Sequence, residues 1–297
     1  MSKSNSERCA QLRGLVQAKQ LSLMMEAHNG LSAKVAERAG FKAIWASGLS
    51  ISTTMGVRDS NELSWTQSLD VLEYMSDAAS VPILFDGDTG YGNFNNARIL
   101  VRKLEQRGIA GVVIEDKLFP KMNSFVGERQ PLADIAEFQG KIRAMKDTQT
   151  CDDFQVVARV EALIAGQGMD EALRRAESYM VAGADAIFIH SKRLDADEIL
   201  EFGRQWGRQC PLVVAPTTYS KTPLDALEGA GISVCICANQ NMRAALVAME
   251  AVCRSLLQAG ALHVVEDQIA SLREVFGIIG YEELEAANER YLPYVGN

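Results

Sequence analysis

The sequence predicts an α/β fold, a (β/α)8 barrel with extra C-terminal helices, and three observations carry that prediction. Eight short apolar segments recur along the 297 residues, separated by polar turns and stretches of helical periodicity. Strands that alternate with helices pair in parallel through crossovers, and eight is the number that closes a barrel of about this length. The first strand is followed by Asn29-Gly30 rather than by G-x-G-x-x-G, which disfavours an open doubly wound sheet.

The first strand is expected over residues 21–27, with a helix over 31–39 that ends at Ala39-Gly40, a common helix stop. The second and third strands fall at 43–47 and 81–85, and an amphipathic stretch follows at 95–107. The fourth is expected at 111–114 and the fifth at 154–160, the latter leading into a helix over 169–182 that stops at Ala182-Gly183. Segment 186–189 is the sixth strand, 195–206 its helix, and 212–215 the seventh strand. Ala230-Gly231 then precedes the eighth, at 233–237. Three helical segments remain, at 241–257, 266–276 and 281–290. One domain, 1–297, is therefore expected, with a gating loop over 115–133 and a helical extension over 241–297.

Composition narrows the function. The chain has 38 acidic and 30 basic residues, a net charge of -8, which argues against a nucleic-acid partner. A small anionic substrate stays compatible, because a bound divalent cation and a few local Lys or Arg groups can reverse the sign of one cleft. No apolar run reaches the ~18–20 residues of a membrane span, and the polar segment 1–13 lacks the apolar core of a secretory signal. Six scattered cysteines (Cys9, Cys151, Cys210, Cys235, Cys237 and Cys253) do not make a disulfide framework. A cytoplasmic protein is expected.

In a barrel of this kind, polar groups at the C-terminal ends of strands read as catalytic. The second strand ends in Ser47-Gly48-Leu49, the third in Asp86-Gly87-Asp88, the fourth in Glu115-Asp116-Lys117, and the eighth in Asn239. Asp86 and Asp88 share a face if the chain is extended there. With Glu115 they suit a hard cation held by oxygen ligands, Mg²⁺ best of all, since it keeps several waters and takes few direct carboxylates. Turn chemistry is the competing reason for Asp-Gly-Asp. Arg159 stands in an otherwise apolar strand, where an unpaired charge is costly. It is suited to fork onto a carboxylate or phosphoryl group, or else to pair internally with Glu161 or Glu115. His190, after the sixth strand, is a candidate donor to a substrate oxygen; His28 is a second candidate for the mouth. Cys235-Ile236-Cys237 reads as strand packing. The segment from Lys117 to Pro131 is long, holds two prolines and lacks helical periodicity, as expected of a lid.

At these residues the sequence resembles the phosphoenolpyruvate mutase/isocitrate lyase superfamily, and its mutase branch most closely, over nearly the whole chain. The most specific stretches are Glu26-Ala27-His28-Asn29-Gly30-Leu31-Ser32, Gly56-Val57-Arg58-Asp59-Ser60-Asn61-Glu62 and Asp88-Thr89-Gly90-Tyr91-Gly92-Asn93. Glu115-Asp116-Lys117-Leu118-Phe119-Pro120-Lys121 and Ala158-Arg159-Val160-Glu161-Ala162 complete the set. The resemblance implies Mg²⁺ dependence and interconversion of phosphoenolpyruvate and phosphonopyruvate. It also implies a homotetramer of helix-swapped dimers, and a downstream enzyme that consumes phosphonopyruvate.

By the same resemblance, Asp86 ligates Mg²⁺ while Asp88 and Glu115 hold its waters. Ser47, Gly48 and Leu49 surround the pyruvyl carboxylate and oxygen. Asn123, Ser124, Arg159 and His190 surround the phosphoryl and pyruvyl oxygens, and Asp59 and Lys121 are placed among the catalytic groups. Carbon–carbon lyases of the superfamily carry a cysteine in the gating loop within Lys-Cys-Gly-His. Here the loop reads Lys121-Met122-Asn123-Ser124-Phe125, which disfavours a lyase. Phosphonopyruvate hydrolase, with threonine in that loop, is the nearer alternative, and a non-catalytic binding barrel the remaining one. Gly87 in place of alanine, Gln167 in place of tryptophan, and the loop tip 125–129 depart from the family pattern.

Overall fold

The computed structural model describes residues 3–127 and 130–292; Glu128 and Arg129, at the tip of the expected gating loop, lie outside the described residues. Helix α1 (Asn5–Gln17) precedes β1 (Ser22–Ala27) and α2 (Gly30–Arg38). Then come β2 (Ile44–Ala46), α3 (Gly48–Thr54), α4 (Trp65–Ala78), β3 (Ile83–Asp86) and α5 (Phe94–Gln106). Next are β4 (Gly111–Glu115), α6 (Ile135–Lys146), β5 (Gln155–Val160), α7 (Gly168–Val181), β6 (Ala186–Ile189) and α8 (Asp197–Trp206). Finally β7 (Leu212–Val214), α9 (Leu224–Gly229) and β8 (Ile232–Cys237) lead to α10 (Gln240–Ala259), α11 (Leu272–Ile279) and α12 (Tyr281–Tyr291). Among the described residues the eight strands close into a parallel barrel, with β8 paired back to β1. This is the predicted (β/α)8 architecture.

Parallel strands covered on both faces become near-continuous apolar runs, which is why the segments read so plainly in the sequence. Every residue of β3, β4 and β6 is buried. The register sets Glu115 of β4 beside Arg159 of β5, so two opposite charges meet at the barrel mouth. Helix α1 was not expected: segment 1–13 reads as merely polar. Its Ser4 closes a capping box with Glu7, and Cys9, Leu12 and Val16, spaced at three and four, are fully buried. The helix touches β3, β5 and β8, which are not neighbours, so it lies across the end of the barrel opposite the mouth.

The chain forms two compact units, residues 1–242 and 243–297. In the second, the helix expected over 266–276 divides. A 3₁₀ helix covers His263–Gln268, and α11 begins only after Ser271, which caps it by pairing with Glu274. None of the α10 residues is buried, and Leu246, Val247, Met249 and Leu257 are exposed. Phe276 of α11 packs on Tyr281 of α12 with ring centroids 4.9 Å apart. No helix among the described residues is long and apolar enough to cross a membrane.

Candidate active site

The turn after β3 places the acidic groups. Asp86 is the last residue of the strand, but Asp88 takes a left-handed backbone conformation with φ of 52°. The two carboxylates are therefore brought to the mouth by a turn, and not by strand alternation as expected. Hydrogen bonds to β4 fix this turn: Gly87 N donates to Val113 O (2.8 Å), and Glu115 N to Asp88 O (2.6 Å). Gly87 eases that approach, since a Cβ there would lie 2.5 Å from Val112 Cγ2, which would have to shift, and 3.0 Å from Val113 O. Gly48 serves the same end from β2. A Cβ at Gly48 would lie 3.2 Å from Asp86 Oδ2 and 3.5 Å from Asp88 Oδ1.

The segment after β4 is seated over this turn. Its Lys121 ammonium pairs with Asp88 and, at 2.9 Å, with Asp59 Oδ1. Lys121 N donates to Asn61 Oδ1 (2.6 Å), whose own amide donates to Asp88 Oδ2 (2.8 Å). Asn123 Nδ2 donates to Asp59 Oδ2 at 2.6 Å. Burial alone would raise the Asp59 carboxyl, but Lys121, Asn123 and Arg159 hold it below the ordinary range. For Asp88, burial joined by the charges of Asp86 and Asp59 prevails over Lys121 and pushes the carboxyl up to about 7.

Glu161, just past β5, is the hub of the opposite wall. Its carboxylate accepts from Arg159 Nε (2.6 Å) and Ser124 Oγ (2.6 Å), lies 2.7 Å from His190 Nδ1, and pairs with Lys117 Nζ at 3.1 Å. Burial opposes its charge, yet Arg159, His190 and Lys117 together keep the carboxyl well below the usual carboxylate range. Arg159 also pairs with Glu115 Oε2 (3.4 Å) and donates to Ser124 Oγ (3.0 Å). The internal ion pair weighed for Arg159 therefore exists, and it orients the guanidinium along the cleft wall. Burial, then the Arg159 charge, lower the His190 imidazole, whose edge meets Phe125 at 5.5 Å between centroids.

The ends of the loop are tied at Asp116. Its main-chain oxygen accepts from Ala133 N (2.8 Å), and Lys117 bridges to Leu132. Its carboxylate accepts from Glu161 N (2.9 Å), Arg175 Nη1 (3.0 Å) and Tyr179 Oη (2.7 Å).

One cleft brings the predicted groups together. Ser47, Leu49, Asp59, Asp86, Glu115, Lys121, Asn123, Ser124, Arg159 and His190 line it, with Gly48 and Asp88 immediately behind. His28 is instead held by Glu26 (Nδ1 to Oε1, 2.6 Å) and does not line it. The cysteines are free, Cys235 and Cys237 included. Sequence reasoning missed the hub role of Glu161 and the parts of Lys117 and Asn61. Each lay inside a quoted motif, but only the tertiary pairing gives it a task.

The acidic set fits a hydrated divalent cation. Glu115 Oε1 is buried without a hydrogen-bond partner, its nearest cation being Lys117 Nζ at 4.0 Å. Burial raises the Glu115 carboxyl despite Arg159 and Lys117. A cation would relieve both this and the crowding of Asp86 on Asp88. No three His, Cys, Asp or Glu side chains among the described residues converge as direct ligands, so the remaining ligands would be waters.

Residues 12–257 match the family described as Phosphoenolpyruvate phosphomutase. The chain is 54% identical to the Phosphoenolpyruvate phosphomutase of Tetrahymena pyriformis over 290 residues, covering 97% of each. Among solved structures it is similar to the phosphoenolpyruvate phosphomutase of Streptomyces platensis subsp. rosaceus, with a TM-score of 0.94 and 45% identity, covering 96% of this chain and 99% of that one. It is also similar to phosphonopyruvate hydrolase complexed with oxalate and Mg²⁺, with a TM-score of 0.91, 38% identity, and coverage of 98% and 100%.

Proposed function

The chain belongs to the phosphoenolpyruvate phosphomutase family, and we propose from that premise that it interconverts phosphoenolpyruvate and phosphonopyruvate with Mg²⁺ as cofactor. The phosphoryl group moves between the enol oxygen and C3 of pyruvate: one bond, P–O or P–C, breaks as the other forms. Such transfers pass through a loose, metaphosphate-like transition state, so the protein mainly positions groups and stabilises charge. The mutase relatives stand nearer in identity than the hydrolases, at 54% against 41% among curated sequences and 45% against 38% among solved structures.

The observation that carries the reading within this chain is Asn123, a neutral amide fixed at 2.6 Å from Asp59 on a loop seated over the cleft. An amide donates hydrogen bonds to phosphoryl oxygens without attacking phosphorus or activating water. Arg159, Ser124 and His190 complete that wall, and Ser47, Gly48 and Leu49 face the pyruvyl end. The seated loop excludes water, which would otherwise capture the phosphoryl group. Asp86 would hold the cation directly and Asp88 and Glu115 its waters, with Gly48 leaving the space beside them. When bound, Mg²⁺ supplies charge stabilisation at the enolate oxygens.

³¹P NMR of the protein with phosphonopyruvate and Mg²⁺ tests the assignment. Phosphoenolpyruvate is the expected product; inorganic phosphate would identify a hydrolase instead. Chelation should abolish turnover. Asp86→Ala should weaken Mg²⁺ binding most, and Asp88→Asn or Glu115→Gln by roughly 10–100-fold, as read by Mg²⁺-dependent thermal shift. Full activity in excess chelator would remove the metal from the scheme.

This mutase activity places the chain at P–C bond formation in phosphonate biosynthesis, with a further enzyme drawing off phosphonopyruvate. The apolar residues exposed on α10 and α11 support assembly as a homo-oligomer that exchanges C-terminal helices. Sedimentation should give a mass of four chains, and Leu246→Glu with Val247→Glu should lower it; a monomeric parent would refute the assembly.

A further inference from the structure

Asn239 is a polar residue of the cleft with no task in the scheme above. Asn239 stands just past β8 at the barrel mouth and lines the cleft, yet only 6% of it is exposed. Its main-chain N–H donates to Gln240 Oε1 (3.0 Å), but its side-chain amide makes no hydrogen bond to any described residue, and its Oδ1 is fully buried. Its amide N–H groups are donors without a partner beside the cleft, and a ligand that only accepts hydrogen bonds, as a carboxylate does, would complete them.

Counting donors shows which end of the ligand it serves. The wall from β5, β6 and the loop already offers Arg159, Ser124, Asn123 and His190 to the three oxygens of a phosphoryl group. The end of β2 offers a carboxylate only the Ser47 hydroxyl as a side-chain donor, its oxygen accepting from Ser50 N at 3.2 Å. In the closed barrel, β1 alone separates β8 from β2. We propose that Asn239 is a substrate-binding residue whose amide holds the carboxylate of the three-carbon oxyacid, opposite Ser47. The proposal rests on the reading of the site given above.

The test uses oxalate, which carries carboxylates and no phosphoryl group, titrated calorimetrically into the full chain with Mg²⁺. Asn239→Leu should weaken oxalate binding by about 10-fold, and Asn239→Asp by more, since it sets a like charge against the anion. Asn239→Ser serves the same purpose if leucine is not tolerated. With phosphonopyruvate, KM should rise by a similar factor while kcat stays within about twofold, the mark of uniform binding. Parental oxalate affinity in a variant that unfolds at the parental temperature would overturn the proposal. So would a fall in kcat with oxalate binding intact, which would assign Asn239 to the phosphoryl end. If the parent releases phosphate while oxalate binding still depends on Asn239, the mutase reading fails and this one stands.

Discussion

Glu161→Gln is expected to cost the most of any single change in the cleft. Its carboxylate compensates Arg159 and Lys117, orients His190 and accepts from Ser124. A glutamine keeps the shape but leaves two buried cations short of a counter-charge. Removing one partner of a buried pair costs about 3–5 kcal/mol of stability. Turnover per folded molecule should fall by about 10²–10³-fold, because the donors this carboxylate aligns lose their aim together. A pH signature accompanies the loss. A carboxyl held below its unfolded value contributes stability that is fully present above the unfolded pKa and is lost as pH falls through the folded one. The stability gap between parent and variant, measured by urea denaturation, should therefore close towards acid pH. A folded Glu161→Gln protein with normal turnover would show that the hub only supports the fold.

Asn123→Ala ranks second. The side chain donates to Asp59 Oδ2 (2.6 Å) and accepts from Phe125 N (3.0 Å), so it both faces the cleft and shapes the loop. Truncation leaves the barrel and the acidic turn untouched, and the unfolding midpoint should stay near that of the parent. Mutase turnover should drop by roughly 10²-fold or more, as for loss of one transition-state donor. In Asn123→Thr, a single hydroxyl can orient water, and ³¹P NMR should then register released phosphate. Interconversion at the parental rate by a folded, Mg²⁺-binding Asn123→Ala protein would exclude the residue from holding the phosphoryl group.

The barrel was legible because its strands are buried on both sides and most of them end in polar residues where the apolar run stops. Segment 186–189 matches β6 residue for residue, and 154–160 begins one residue early. What periodicity could not reach was pairing between distant segments. Asp86 and Asp88 meet through a left-handed turn fixed to β4, an arrangement that alternation along one strand does not describe. Glu161 read as half of an optional ion pair, since its four partners come from β5, β6, the strand-end Lys117 and the loop. Helix α1 escaped notice because its buried face combines Cys9, Leu12 and Val16 with a charged residue, Arg8, among many polar neighbours.

The tie at Asp116 has a consequence for how such a barrel can diversify. Lys117 and Leu132 are bridged, and Ala133 is bonded to Asp116, so the intervening span begins and ends at one anchored neck. Because the ends stay together whatever the span does, altering its length or sequence adds little closure entropy. The neck is buttressed by Arg175 and Tyr179, while Lys121, Asn123 and Ser124 of the span reach directly to Asp88, Asp59 and Arg159. The fourteen residues from Leu118 to Pro131 thus hang from one neck while supplying three of the polar groups of the cleft. A change within the span therefore alters what faces the cleft without moving the points at which the span joins the barrel.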